Sequence, residues 1–186
     1  MWRINHLLCI FKCSKLKILM ENIILKKVEL NELELLQDIS RLTFTQTFAE
    51  VNSPENLQNY LDKAFSVPQL SGELQDPNVE YYFSEIDQNV IGYLKINFGT
   101  SQTELQDDNA IEIERIYVLE EYLGKKVGQK LYDFALKRAR ETSNEYVWLG
   151  VWEENSRAIN FYKKQGFQAF GKAKSSQMEV LKLWEK

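Results

Sequence analysis

Apolar residues change their spacing repeatedly along the chain, and each spacing predicts a different kind of element. Alternating or continuous apolar runs predict strands, whereas apolar residues three and four positions apart predict helices. The run Tyr146–Trp152 is nearly continuous, which predicts a strand buried on both faces. Including that run, the predicted strands are Asn22–Val28, Val79–Ile86, Val90–Ile96, Ile111–Val118, Tyr146–Trp152, Phe167–Gly171 and Met178–Trp184.

In most of the segments between these strands, apolar residues recur at helical spacing, which predicts helices. One helix is predicted to begin at a capping box formed by Asn31 and Glu34, and another at the pair Ser53-Pro54. The stretch between Pro68 and Pro77 is predicted to be a loop or a short helix. Two later helices are predicted over Lys125–Arg140 and Asn155–Gln165. This order predicts a single α/β domain, residues 21–186, with helices packed on a mixed sheet in three layers.

Residues 1–20 differ from the rest of the chain in composition. They contain both cysteines and the only histidine, together with four basic residues and no acidic one. We interpret this segment as a basic N-terminal extension that is disordered or results from an upstream start codon. A five-residue apolar patch ends at Lys12 without a cleavage site after it, which argues against export. Cysteines outside the core also fit a reducing compartment, so we expect a cytoplasmic protein.

Charge and composition exclude several classes of function for the remaining residues. The whole chain carries a net charge of −4, and its acidity argues against general nucleic-acid binding. No apolar run reaches the ~18 residues needed to span a membrane. A domain without Cys and His cannot form a Cys–His pair, a Ser-His-Asp triad or a Cys/His zinc site, and we expect no metal. Acid–base chemistry would then use Glu, Asp, Lys or Tyr.

Two segments carry candidate chemistry. In the first, a strand leads through a turn with Gly124 and Gly128 into a helix, where backbone N–H groups and the helix dipole favour an anion such as pyrophosphate. Glycines at such a turn also occur where only a tight bend is needed. In the second, Asn155 is a natural N-cap, and Phe161 and Tyr162 follow at helical spacing. Taken alone, this second segment predicts only a capped helix that packs on the core.

Together the two segments resemble the GNAT superfamily of acetyl-CoA-dependent N-acetyltransferases. The family motif N-x-x-A-x-x-F-Y-x-x-x-G-F is complete from Asn155 to Phe167. The family's phosphate loop has Arg or Gln, two residues, Gly, one residue, then Gly or Ala; here Gly128 is kept, while Leu123 and Lys126 replace the first two fixed positions. A narrower resemblance to bacterial spermidine/spermine acetyltransferases of the Pai type is carried by Glu114–Val118, Gly124–Gly128 and Trp148–Glu153.

The resemblance implies a GNAT-like fold whose central parallel strands splay apart to admit acetyl-CoA, the co-substrate. It implies that backbone groups of Ile116 and Val118 bind the pantetheine arm. Tyr162 would be the general acid that meets the departing thiolate. The other implied cofactor-binding residues are Gly124, Lys125, Lys126, Val127, Gly128, Gln129 and Asn155.

The proton of the attacking amine needs an acceptor. Glu112 and Glu114 are candidates because strand alternation gives them the same parity as Ile116 and Val118, unless a β-bulge reverses it. The alternative interpretation is that both are ordinary solvated charges.

The small-molecule partner is expected to be an amine. An acidic domain suits a polyamine, spermidine or spermine, and four aromatic residues either line an amine pocket or pack between strands: Tyr81, Tyr82, Trp148 and Trp152. Another amine, such as a protein N-terminus, an amino acid or an antibiotic, remains an alternative. So does a protein that binds acetyl-CoA without catalysis. Exposed sheet edges also make a homodimer an expectation.

Overall fold

The structure, a computed structural model, describes residues 22–172 and 178–184. The predictions for residues 1–20, including the cysteines and the histidine, therefore lie outside the described residues. Within the described part, no helix combines the length and apolar character that crossing a membrane requires.

Seven strands form one mixed sheet in the order β1-β2-β3-β4-β5-β7-β6. Neighbouring strands are antiparallel except β4 and β5, which run parallel at the centre. Strands β2 and β3 form a hairpin, with Ile86 paired to Asn89 at the turn. The strands are β1 Ile24–Lys27, β2 Val79–Ile86, β3 Asn89–Phe98, β4 Ala110–Val118, β5 Tyr146–Trp152, β6 Gln168–Lys172 and β7 Met178–Trp184.

Five α-helices are described: α1 Leu33–Phe48, α2 Pro54–Ala64, α3 Val67–Gln75, α4 Val127–Glu141 and α5 Ser156–Lys164. The stretch between Pro68 and Pro77, left open between a loop and a helix, is thus mostly helix α3. The capping box predicted at Asn31 and Glu34 is wrong. A 3-10 turn over Leu30–Glu32 precedes α1 instead, because the Glu32 carboxylate accepts from the Glu29 N–H at 3.2 Å and pairs with Lys26 at 2.6 Å.

Helices cover both faces of the sheet, which confirms the three-layer α/β arrangement. Helices α1 to α3 pack on one face, around Leu36, Phe65, Tyr81 and Tyr93. Helices α4 and α5 pack on the other face, with Leu131 of α4 at the centre of a second core. Strand β5 contributes alternate residues to that core and to a small third cluster, so its predicted burial on both faces is also confirmed.

One irregularity in β4 decides the shape of the site. Ile113 pairs with Ile96 of β3, but the next pair along the ladder is Arg115 with Lys95, so Glu114 has no partner on β3. Glu114 is thus the extra residue of a β-bulge. On its other side β4 pairs with β5 only from Ala110 to Glu112, opposite residues 146–148. Beyond the bulge the two parallel strands have separated.

Candidate active site

A cavity of about 730 Å³ lies where β4 and β5 separate. Its lining comes from four parts of the chain that are distant in sequence. These are the C-terminal end of α1 with the turn after it, the end of β4 with the loop into α4, the end of β5, and the first turns of α5. Because the separation of β4 and β5 leaves backbone groups without a strand partner, the cavity has both side-chain and main-chain polar groups in its wall.

The backbone of β4 directs polar groups into this gap. Leu119 donates its N–H to Ile91 of β3 at 3.0 Å, and successive residues of a strand point their N–H groups to opposite sides. The N–H groups of Val118 and Ile116 therefore face away from β3, toward the gap. Both residues also line the cavity. The strand end thus offers the backbone groups predicted for the pantetheine arm.

The loop between β4 and α4 forms the wall that was predicted to hold pyrophosphate. Of the predicted loop residues, Gly124, Lys126, Val127, Gly128 and Gln129 line the cavity. Lys125 is absent from this lining, and its Nζ lies 4.8 Å from the centre of the Tyr122 ring. Lys126 is the N-cap of α4 in a left-handed conformation, with φ of 64°, where the family motif has Gly.

Gly128 gives an independent indication that this wall accommodates a ligand. It lies inside α4 with an ordinary φ, and a Cβ atom placed there would have no heavy atom within 4 Å outside its own helix turn and chain neighbours. Neither backbone conformation nor protein packing requires a glycine at this position, although glycine weakens a helix interior. A glycine here leaves room for a ligand to approach the start of the helix closely. The loop therefore fits the diphosphate of acetyl-CoA.

Helix α5 brings the second predicted motif to the same cavity. Asn155 is its N-cap, as predicted, and the Asn155 Oδ1 accepts from the Ala158 N–H at 3.1 Å. Asn155 and Tyr162 both line the cavity. The Tyr162 ring packs edge-to-face against Phe161 and Phe167, with centroids 5.1 and 5.5 Å away. Burial raises the pKa of Tyr162, so its hydroxyl keeps its proton at neutral pH.

The end of α1 supplies a wall that the sequence analysis missed. Gln46, Phe48 and Glu50 line the cavity, and the Gln46 side chain accepts from the Glu120 N–H at 3.1 Å, which ties this helix to the turn after β4. The Phe48 ring lies 6.2 Å from that of Trp152. The sequence signal for this wall was Phe48 four positions after Phe44, which continues the helical spacing to the end of α1.

Three carboxylates stand in the cavity wall: Glu50, Glu120 and Glu154. None of them was singled out from the sequence. Among the four aromatic residues considered for an amine pocket, Trp152 lines this cavity, whereas the other three are buried in separate cores: Tyr81, Tyr82 and Trp148. Within residues 22–172 and 178–184, no group of three or more His, Cys, Asp or Glu residues is placed to hold a metal ion.

Glu112 and Glu114 do not line the cavity, and the parity argument for them is wrong. The extra residue at the bulge shifts the alternation by one position, so Ile116 and Val118 pack with the core under α4 while Glu112 and Glu114 lie among polar groups on the opposite face. Burial raises the pKa of Glu112, although Thr103 and Asn97 donate to its carboxylate. Burial would also raise the pKa of Glu114, but the nearby cations outweigh it and lower that pKa.

Comparisons with known proteins agree with this geometry. A profile of the acetyltransferase (GNAT) family matches residues 35–167. An uncharacterized N-acetyltransferase of Lactobacillus delbrueckii subsp. lactis is 42% identical over 132 residues, which cover 71% of this chain and 76% of the relative. The spermidine N(1)-acetyltransferase of Thermoplasma acidophilum is 26% identical over 148 residues, 77% of this chain and 87% of the relative.

A solved structure is also similar in fold. It is the PaiA N-acetyltransferase of Thermoplasma acidophilum in complex with coenzyme A, with a TM-score of 0.76 at 22% identity, covering 88% of this chain and 99% of that one. At this identity the likeness supports the fold, and the family match supports the chemistry. The chain accordingly belongs to the GNAT family of N-acetyltransferases, enzymes that use acetyl-CoA.

Proposed function

We propose that the protein transfers the acetyl group of acetyl-CoA to a primary amine of a polyamine, spermidine or spermine, by direct attack while both substrates are bound. One observation carries the proposal. The gap between β4 and β5 brings the backbone of Ile116 and Val118, the phosphate loop and Tyr162 into one cavity. That combination provides an anion site, main-chain donors and a proton donor on a single substrate path.

Each of these groups has a physical role in the proposed reaction. The N–H groups of the loop from Gly124 to Gln129 hold the diphosphate at the start of α4, except that of Lys125, which donates to the Tyr122 carbonyl at 3.2 Å. Lys125 and Lys126 add positive charge, and Asn155 adds a contact from the start of α5. The Ile116 backbone pairs with the pantetheine arm as a neighbouring strand would. The Val118 N–H donates to the thioester oxygen as negative charge develops on it, a contact worth a few kcal/mol.

Tyr162 handles the leaving sulfur. A thiol has a pKa of about 8.5 and a tyrosine one of about 10, so complete proton transfer is uphill by roughly 2 kcal/mol before any shift. Burial raises the pKa of Tyr162 further, which makes transfer harder and donation of a hydrogen bond easier to sustain. We therefore assign Tyr162 mainly as a hydrogen-bond donor to the departing thiolate.

The amine must lose a proton before it attacks. A lysine-like amine has a pKa of about 10.4, so neutralising it at pH 7 costs roughly 4–5 kcal/mol. Neither Glu112 nor Glu114, the acceptors predicted from the sequence, lines the cavity, so either would need bound water to reach the amine, and the Glu114 carboxylate is already held by Lys95 and Asn97. Glu120 lines the cavity and is the direct candidate.

Support for a polyamine comes from the acidic and aromatic residues of the cavity wall, which differ from the basic phosphate loop. The cavity carries Glu50, Glu120 and Glu154 together with the rings of Phe48 and Trp152. Carboxylates attract an ammonium group, and aromatic faces add cation–π attraction. The similarity to a spermidine N(1)-acetyltransferase points to the same class of substrate.

The test is thiol release from acetyl-CoA by the full chain against spermidine, spermine, short Lys peptides, amino acids and aminoglycosides. Release with polyamines alone supports the proposal. Release with a different amine keeps the acetyl transfer and overturns the polyamine assignment. No release with any amine, from a folded chain that binds CoA in calorimetry, favours a non-catalytic binding protein.

Two further parts of the proposal concern the setting of the enzyme. We propose a cytoplasmic location, because acetyl-CoA is an intracellular metabolite. We also propose a homodimer built through a free edge of the sheet, where β1 and β6 each have one strand neighbour. Sedimentation velocity at several protein concentrations tests the second part, and a single monomer species throughout would contradict it.

A further inference from the structure

The bulge in β4 is surrounded by an unusual set of buried charges. The Glu114 carboxylate lies 2.6 Å from the Lys95 Nζ, 2.7 Å from the Asn97 Nδ2 and 3.0 Å from an Nη2 atom of Arg115. The Lys95 side chain is only 4% exposed and that of Arg115 only 9%. Burying charges in this way costs solvation free energy and is tolerated only where partners are well placed. Such a cluster calls for a reason beyond stability.

The side chains that bind Glu114 come from β3 residues opposite both sides of the bulge. On β3, Lys95 pairs with Arg115, which follows the bulge, and Asn97 pairs with Glu112, which precedes it. In a regular ladder their side chains would each face a different residue of β4. Here both converge on the carboxylate of Glu114, the bulged residue, which the ladder with β3 skips. Glu73 of α3 completes the cluster, 2.8 Å from the Lys95 Nζ.

The bulge controls which backbone groups face the cofactor gap. Before it, the Asn109 carbonyl accepts from the Glu145 N–H beside β5 at 2.8 Å, so odd-numbered positions of β4 face β5. After it, Leu119 donates to β3, so even-numbered positions, Ile116 and Val118, face the gap. A register without the extra residue would turn those groups toward β3 and put others in their place.

We propose that Glu114, held by Lys95 and Asn97, is a positioning residue that locks the β4 bulge and so aims the Ile116 and Val118 backbone groups at acetyl-CoA. The role rests on the proposed function of that gap, and it assigns Glu114 no contact with substrate. It also explains why a charged cluster persists on the face of the sheet away from the cofactor. Removing the contacts of the Glu114 carboxylate should lower CoA affinity more than it lowers the stability of the fold.

Glu114→Gln tests this, with Glu80→Gln as the matched control. Glu80 is also a largely buried carboxylate on this sheet with basic partners, Arg138 at 3.0 Å and Lys27 at 3.5 Å, but it lies away from the bulge. Calorimetry with CoA should give a dissociation constant raised about tenfold or more by Glu114→Gln, as misplaced binding groups predict. For Glu80→Gln it should stay within about twofold of the original value, even if the melting temperatures of the two variants fall equally.

A readout that needs no ligand accompanies the affinity. Hydrogen exchange in the CoA-free protein should be faster at the Tyr117 and Leu119 amides in Glu114→Gln than in Glu80→Gln, because both amides follow the bulge. If Glu114→Gln does not fold, the double variant Lys95→Gln/Glu114→Gln removes one charge of each sign and takes the same measurements.

The possible results separate a positioning role of Glu114 from a structural and a catalytic one. Equal losses of CoA affinity in both variants, in step with stability, would reduce Glu114 to an ordinary structural role. Unchanged affinity with a collapse of kcat would make Glu114 the proton acceptor and overturn the proposal. Thiol release by the unaltered enzyme is scored separately, so failure of the acetyl-transfer function is distinguishable from failure of the positioning role.

Discussion

At the residue scale, two glycines differ in what surrounds the position where a Cβ atom would lie. Gly92 of β3 lies opposite Val118, where an added Cβ would come 2.5 Å from the Tyr117 carbonyl oxygen. Gly128 lies in α4, where an added Cβ would meet only open space. Close packing of the protein explains Gly92, whereas Gly128 leaves open space in the cavity wall, where the proposed diphosphate would lie.

Alanine at these two positions should therefore act in opposite directions. We expect Gly128→Ala to raise the free energy of unfolding by roughly 0.5–1 kcal/mol, because alanine favours the helix, and to weaken CoA binding. We expect Gly92→Ala to lower the free energy of unfolding by roughly 1–3 kcal/mol. Urea unfolding without ligand and CoA calorimetry check both. A Gly128→Ala variant with full CoA affinity would remove the ligand explanation.

Tyr162 provides a second prediction at this scale. Tyr162→Phe keeps the ring contacts with Phe161 and Phe167 but removes the hydroxyl. We expect kcat to fall by about 100-fold, in the range typical of a lost proton donor, with CoA affinity within about twofold of the original. Steady-state kinetics with the best amine and CoA calorimetry measure the two effects. An unchanged kcat would show that Tyr162 has only a packing role.

At the scale of the element, two helix caps form a natural comparison. Asn155 caps α5 at the cavity, and Ser53 caps α2 with its hydroxyl 3.2 Å from the Asn56 N–H. Alanine at either position should cost about 1 kcal/mol of stability. Only Asn155→Ala should also weaken CoA binding, because α5, unlike α2, begins at the cavity. If Ser53→Ala weakens CoA binding equally, the effect belongs to global stability.

The elements also show what a sequence can reveal and where it stops. Asn155 was predictable as a cap because the signal is local: its side chain accepts a hydrogen bond from the N–H only three residues later. The strands of the sheet followed from apolar spacing for the same reason. The bulge at Glu114 was not predictable, because the side chains that hold it come from β3, 17 to 19 positions earlier. The parity argument failed at that point, and the wall supplied by Phe48 and Glu50 depends on tertiary packing in the same way.

At the scale of the whole molecule, acid should weaken the fold in a defined sense. Burial would raise the pKa of Glu80, but hydrogen bonds and charge from Arg138 outweigh it and lower the pKa. A carboxyl whose pKa is lower in the folded chain stabilises the fold above its unfolded pKa of about 4.3, and that contribution is lost as pH falls through the folded pKa. Glu112 has a raised pKa and contributes with the opposite sign.

Urea unfolding between pH 7 and pH 3 measures this balance. Compared with the unaltered chain, Glu80→Gln should start from a lower stability at pH 7 and lose less of it on acidification. Glu112→Gln should lose more on acidification, because it removes a group whose cost disappears as it takes up a proton. Parallel curves for the two variants would contradict the assigned signs.

The separation of β4 and β5 has a consequence for how the molecule opens. In the described sheet, strand pairing between the half β1–β4 and the half β5–β7 covers only three residues of β4, Ala110 to Glu112. Without ligand, the two halves should behave as separate units of local unfolding that share the core under α4. Native-state hydrogen exchange in low urea should give the β5–β7 amides a lower opening free energy than those of β2 and β3. Saturating CoA should merge the two values, since the bound molecule spans the seam and makes the sheet one cooperative unit.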